Sequence, residues 1–143
     1  MPAIVYPYSA DKTLVLVNGV PMTGLAGDEA VTVEPSADVA TAKPGLDRSV
    51  SVSAGINDMF RLTLRLQQGS PSNQVLSGFH KAAAIRGVAF CSINVQNLFE
   101  TSILVAPQSW FVRLPNLAFA EEATEREWTF EGLATVFNVG GAI

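Results

Sequence analysis

Residues 57–87 read NDMFRLTLRLQQGSPSNQVLSGFHKAAAIRG, and two periods within them decide the fold class. In the first half Phe60, Leu62, Leu64 and Leu66 alternate with Arg61, Thr63, Arg65 and Gln67. A period of two puts alternate side chains on opposite faces, so this is a strand with one dry face. In the second half Val75, Leu76, Phe79, Ala82 and Ala83 recur at spacings of three and four, the mark of a helix with one narrow apolar stripe. Ser70 and Pro71 precede the stripe and Arg86-Gly87 follow it. They supply a hydroxyl for orphan amides, a ring preset for the first turn and a residue that tolerates positive φ. The stripe needs a dry surface, and the nearest is the strand's own leucine face. Leu62, Leu64, Leu66, Leu76 and Phe79 are therefore expected core anchors, joined by Trp128 from a late strand.

Outward from this unit the chain reads as strands. Residues 13–17 are apolar, Asn18-Gly19 suits a tight hairpin turn, and 20–23 run back. Residues 31–34 alternate before Pro35, whereas 36–48 show no period and hold Asp38, Lys43, Pro44, Gly45, Asp47 and Arg48. A loop of that length is usually functional, and its lack of apolar anchors predicts a hairpin extension that orders only against a neighbouring molecule. Ser49, Ser51 and Ser53 alternate with Val50 and Val52, a strand with a face of small hydroxyls. Downstream, 88–95, 102–105 and 110–114 read as strands punctuated by Pro107 and Pro115. Residues 128–139 form a long strand-like run in which Gly132 marks a bulge or a close backbone approach. Residues 1–12, with Pro2 and Pro7, read as an N-terminal arm. The expectation is one domain over 1–143, mainly β with one α-helix: an antiparallel β-sandwich or open barrel with the helix packed on one side.

Composition narrows the function. The 143 residues are 48% hydrophobic and 15% charged, with a formal charge of −4. No apolar run approaches the roughly 20 residues of a spanning helix, so no membrane role is expected and the surplus apolar surface points to a subunit interface. The negative balance argues against a basic face that grips phosphates. Cys91 is the single cysteine, so no internal disulfide forms. The first residues lack the basic and apolar regions of a secretion signal, and the expected compartment of synthesis is a cytoplasm.

The search for chemistry yields no catalytic, cofactor or metal residues. His80 and Cys91 are the only residues of their kinds, but one sits inside the helix and the other alternates within an apolar strand, where cysteine behaves as a small hydrophobe. One histidine, one cysteine and scattered carboxylates offer no ligand spacing for zinc, and no calcium loop is present. Glu121, Glu122, Glu125 and Glu127 around Arg126 read as a solvated face rather than a carboxylate pair for glycoside chemistry. Gly140-Gly141 has no following helix to make it a phosphate loop.

The succession Val31-Thr32-Val33-Glu34, Gly45-Leu46-Asp47, Leu62-Thr63-Leu64, Leu66-Gln67-Gln68, Ser70-Pro71-Ser72-Asn73, Val75-Leu76 and Arg126-Glu127-Trp128 resembles the PhiTE-like tail tube family of contractile-tailed bacteriophages. The resemblance covers nearly the whole chain. Arg48 stands where the family more often has glycine. The resemblance implies a structural virion protein of the tail, built in the host cytoplasm. Its hexameric rings would close a β-barrel and stack into a conduit for the genome inside the sheath. The implied partners are further copies of the chain, the sheath protein, the baseplate, the tail terminator and the tape measure protein, with DNA passing the lumen unbound. A baseplate or sheath-associated adaptor is the nearest alternative, and a carbohydrate-binding β-sandwich the alternative from another class.

Under this reading Ser49, Ser51 and Ser53 on one strand and Arg61, Thr63 and Arg65 on the next are lumen candidates, the two strands being expected neighbours in the inner wall. The arginines would then need local acids, such as Glu34 or Asp58, to keep the wall neutral or negative. A neighbouring subunit is the other environment such a face fits. Asp38, Lys43, Asp47 and Arg48 are the candidates for contact with the next ring.

Overall fold

The computed structural model describes residues 13–27, 29–36, 38–54, 58–98 and 103–140; the arm expected at 1–12 lies outside them. Among the described residues the chain forms β1 (Thr13–Val17), β2 (Val20–Pro21), β3 (Val31–Pro35), β4 (Ala40–Pro44), β5 (Val50–Ala54), β6 (Met59–Gln67), α1 (Ser72–Ala84), β7 (Phe90–Asn97), β8 (Ile103–Arg113), β9 (Glu125–Leu133) and β10 (Val136–Asn138). One antiparallel sheet runs in the order β2-β1-β7-β8-β9-β6-β3, with β10 beside β8, and β4 and β5 make a separate two-stranded sheet. The large sheet curls. Val15 and Val17 of β1 share one apolar cluster with Leu62 and Leu64 of β6, and Val33 of β3 packs against it. Thr13 and Val33, from strands near opposite ends of the sheet, line one cleft. Among the described residues no ladder joins those ends, so the architecture is an open barrel.

The two periods of residues 57–87 become the two halves of this core. Phe60, Leu62, Leu64 and Leu66 are buried, and Met59–Gln67 lies between β3 and β9 with its whole length paired to β9. Leu76 brings the helix into the same cluster, but the buried stripe is rotated from the one the spacing suggests. Ser72 and Leu76 are buried and Phe79, His80 and Ala83 half-buried, while Val75 and Ala82 face outward. The helix backbone runs closest to β7. A single narrow stripe resting on a curved sheet covers only positions centred on one row, and here Leu76 centres it.

The helix boundaries also differ in detail. Pro71 is the flanking residue, already near helical angles (φ −65°, ψ −18°), and no side chain caps it. Ser70 is not the flanking residue, but its hydroxyl accepts from the amide of Ser72, the first helical residue, at 3.3 Å and donates to the carbonyl of Thr23. At the other end Arg86 N and Gly87 N donate to Ala83 O and Ala84 O at 3.1 and 3.0 Å, and Gly87 takes φ +102°. These bonds tighten the last turn and stop the helix.

Three expectations about the strands are corrected. Residues 102–105 and 110–114 are one strand, β8, which runs through Pro107. Proline is tolerated because the register against β7 shifts there, two residues of β8 standing against Ser92, and a bulge needs no ladder N–H. The run 128–139 is two strands instead of one: β9 pairs with residues 108–113 of β8 and β10 with residues 103–105, so the change of strand faces the same bulge. Within 36–48 the expected hairpin extension is present, since Ala40–Pro44 pairs with Val50–Ala54. That pairing also overturns the neighbour relation between the Ser49, Ser51, Ser53 strand and β6: β5 bonds to β4, and β6 to β3 and β9.

Gly132 marks a close approach. A Cβ placed there would overlap the Ser109 side chain and meet the Gln108 carbonyl oxygen at 2.8 Å. Ser109 is fully buried and its hydroxyl bonds Ala106 O at 3.1 Å, so it has nowhere to go. Gly132→Ala is expected to cost about 1 to 3 kcal/mol by overpacking, read as a lowered midpoint in a urea melt; an unchanged midpoint would show that β8 and β9 separate freely.

Candidate functional site

Two surfaces of the subunit stand out, and a polar joint ties together β6, β9 and the helix beside the first. The joint is built by the segment Ser70-Pro71-Ser72-Asn73. Ser70 and Ser72 flank Thr23: the Thr23 carbonyl accepts from Ser70 Oγ, and the Thr23 amide donates to Ser72 Oγ at 2.8 Å. Asn73 Nδ2 donates to Gln67 O at 2.9 Å and Ser70 O at 3.2 Å, and Asn73 Oδ1 accepts from Trp128 Nε1 at 3.0 Å. The hydroxyls of the buried Ser70 and Ser72 are hydrogen-bonded, which is the condition for burying them. Trp128 is buried, so the two stretches Ser70-Asn73 and Arg126-Glu127-Trp128 meet in space. Arg126 is buried as well. It donates to Thr124 Oγ1 at 2.9 Å and Ala118 O at 3.3 Å and lies 5.7 Å from the centre of the Phe119 ring, which ties the connection after β8 to the sheet.

The first surface is the outer face of β6 and its neighbours. Alternation sends Arg61, Thr63 and Arg65 outward, and the register aligns them with β9: Arg61 opposite Glu131, Thr63 opposite Thr129, Arg65 opposite Glu127. Both Nε and Nη2 of Arg61 reach Glu131 Oε1, at 3.2 and 2.7 Å. Arg65 sends Nε to Glu127 Oε2 at 3.3 Å and Nη1 to Glu29 Oε2 at 3.5 Å. The Glu127 hydrogen bond, helped by the charges of Glu127 and Glu29, raises the Arg65 pKa further. The ion pairing expected from the sequence is thus present with different partners: Glu131, Glu127 and Glu29 in place of Glu34 and Asp58. Glu34 does stand opposite Arg61, but across the β3 ladder. Glu131 and Glu127 were missed because the acids lie seventy and sixty-two residues away in sequence, and only strand register brings them alongside.

The second surface is the β4–β5 hairpin, which extends the connection between β3 and β6. Its neck is closed by Ser36 N donating to Met59 O at 2.9 Å. Directly opposite residues share a face, and here the pairs Ala40–Ala54, Ala42–Val52 and Pro44–Val50 alternate with Thr41–Ser53 and Lys43–Ser51. One face is wholly apolar and the other polar, yet every residue of both strands is exposed. At the tip Gly45 N donates to Ser49 O at 2.7 Å, Ser49 N donates to Asp47 Oδ1 at 3.1 Å, Arg48 takes φ 68° and Leu46 is completely exposed. The Ser49 hydroxyl bond lowers the Asp47 pKa. Of the residues singled out for contact with the next ring, Lys43 is on the polar face, Asp47 and Arg48 build the turn, and Asp38 precedes β4 as an exposed residue. Ser51 and Ser53 share the polar hairpin face with Lys43, and Ser49 belongs to the turn. The serines and the β6 arginines are therefore on separate elements. A period of two was readable at 40–44, but alanine, lysine and proline are poor strand formers and hid it.

Residues 14–137 match the family model described as bacteriophage PhiTE tail tube protein. The chain belongs to that tail tube family. A tail tube protein is a structural component of the phage tail and not an enzyme. Structural protein ORF10 of Pseudomonas phage KPP10 is 25% identical over 122 residues, which are 84% of this chain and 70% of that protein. A chain solved in the sheath-tube complex of the PVC extracellular contractile injection system, in the extended state, superposes with a TM-score of 0.65 at 15% identity, over 96% of this chain and 93% of that one. A chain from the sheath/tube terminator of the same system superposes with a TM-score of 0.61 at 14% identity, over 91% and 95% of the two chains. The shared property is the fold, an open antiparallel barrel with one helix.

In this tail tube subunit the two residues weighed for nucleophilic chemistry have structural places. His80 packs edge-on against Phe111, ring centres 5.5 Å apart. Cys91 belongs to the apolar core, and burial pushes its thiol up to about 12, the opposite of an activated thiolate. An unfolded chain ionises its thiol above about pH 8.5, so the contribution of Cys91 to stability is full below that pH and is lost as pH rises toward 12. The expected result is a urea midpoint that falls more between pH 8 and 10.5 in the wild type than in Cys91→Ala; parallel falls would show the thiol free to ionise in the fold.

Proposed function

We propose that this chain is the repeating subunit of the tube, joining in hexameric rings that stack into a hollow conduit for the genome. The observation that carries the reading is the amphipathic hairpin, with one apolar face, no cover, and Val50, Val52 and Leu46 all exposed. A two-stranded hairpin is marginal alone in water, so its apolar face fits burial against another copy. The open sheet supports the same reading, because strands at its two ends are available for pairing between subunits, and six copies would close one edgeless barrel. The hairpin reaches the neighbouring ring, and the outer face of β6 and β9, with Arg61, Thr63 and Arg65, lines the lumen. Sheath, terminator, baseplate and tape measure proteins complete the partners, consistent with the sheath-tube complex and the sheath/tube terminator in which the structural relatives were solved. Assembly takes place in the host cytoplasm, and the DNA passes without specific binding. Electron microscopy of the purified chain tests the proposal: rings or hollow tubes support it, and monodisperse monomers at high concentration overturn it.

A further inference from the structure

The lumen reading leaves a chemical question, since Arg61 and Arg65 are placed on a face that a polyanion would pass. A guanidinium grips phosphate through its fork of N–H donors, two at a time. In Arg61 the Nε and Nη2 edge is taken by a single carboxylate oxygen, Glu131 Oε1. In Arg65 Nε is on Glu127 and Nη1 is on Glu29, so both sides of the group are engaged. The Arg61 side chain is nevertheless half exposed and that of Arg65 about a third exposed. The hydroxyl of Thr63 lies between them along the strand, and Arg113 lines the same groove as Arg61, Thr63, Glu125 and Glu127. Stripped of its acids this groove would present two guanidiniums, those of Arg61 and Arg113, and a hydroxyl to solvent, with Arg65 next along the same face of β6, the donor set of a phosphate-backbone contact.

We infer that Glu131 and Glu127, with Glu29, are shields that occupy the Nε–Nη2 edge of Arg61 and the Nε and Nη1 donors of Arg65, and that the face is a latent polyphosphate-binding surface held silent by them and by the negative charge they set beside it. The pairs contribute little to folding, as exposed ion pairs do; their effect is on competition. A phosphate reaching Arg61 must first displace a hydrogen-bonded carboxylate at 2.7 Å and then sit beside that displaced charge. Like charges so placed suppress binding of the wrong partner. The use of the shield in a tube rests on the proposed lumen assignment, but the shield itself belongs to the subunit.

The test uses the full chain, separated by sedimentation into unassembled and assembled fractions, with a fluorescent single-stranded oligonucleotide as probe at low salt. In the unassembled fraction Glu127→Gln/Glu131→Gln is expected to bind about tenfold or more tighter than wild type. Its salt dependence should steepen by about 0.7 in log–log slope for each further phosphate neutralised. Glu121→Gln/Glu122→Gln changes the net charge equally on exposed residues that are not among the acids paired with Arg61 and Arg65, and is expected to leave affinity unchanged. Adding Arg61→Ala/Arg65→Ala to the first variant is expected to abolish its tighter binding. Unchanged affinity in the first variant, an equal rise in the second, or a rise that survives loss of the arginines overturns the shield. Tighter binding by the unassembled chain that is absent from open-ended tubes leaves the shield standing and removes the lumen assignment.

Discussion

Deleting residues 38–54 is expected to abolish tube formation while leaving the subunit folded. The neck bond from Ser36 N to Met59 O and the facing of Pro35 with Phe60 bring the two ends of the excised segment together, so the deletion leaves a short loop between β3 and β6. None of β4 or β5 belongs to the large sheet or to the core cluster, and no buried contact is lost. Thermal and urea midpoints should stay within about 1 kcal/mol of wild type, as for changes outside the core. The protein should sediment as monomers or single rings, with no tubes in micrographs. A subtler variant separates cover from backbone: Val50→Glu/Val52→Glu keeps the hairpin but places charges on its apolar face, where docking would bury them unpaired at a cost of several kcal/mol each. Tubes of normal appearance from either variant would show that the hairpin is not an assembly element.

Leu76→Ala is expected to cost about 2 to 5 kcal/mol, the range for deleting a fully buried leucine side chain from a core that cannot collapse onto the gap. Leu76 is wholly buried and the helix enters the core cluster through it. Against a total stability of about 5 to 15 kcal/mol for a domain, that loss is large enough to leave a sizeable unfolded fraction at 37 °C. Phe79 is the larger side chain and the one the sequence points to, but it is only half-buried, packed against the edge of the cluster. Phe79→Ala should therefore cost less than Leu76→Ala, and Val75→Ala, at an exposed position, less than about 0.5 kcal/mol. Urea melts of the three variants rank them. If Phe79→Ala proves the costliest, the helix sits rotated from the orientation in which Leu76 centres its buried row.

The sequence by itself was enough for everything that depends on local period and turn chemistry. A strand over 59–67 with its leucines inward, one helix after Ser70-Pro71 and the Asn18-Gly19 hairpin all follow from residues within a few positions of one another. The motifs carrying the tail tube resemblance were legible too, although what they do locally was not. The Ser70 hydroxyl accepts from the Ser72 amide, as local capping chemistry suggests, and also donates to Thr23, forty-seven residues away, a partner that no local rule names. Tertiary structure alone decided the pairings. Which acids meet Arg61 and Arg65 depends on strand order and register, since Glu131 and Glu127 come alongside only when β9 lies next to β6. The separation of the serine strand from the arginine strand has the same origin. Both have one polar face, and period cannot say which strands share a ladder, because the hydrogen bonds of any strand fit any other. The exposed apolar face of the hairpin, the feature most telling of assembly, exists only because Ala40, Ala42 and Pro44 stand opposite Ala54, Val52 and Val50: each residue alone is too small or too weak a strand former to declare it.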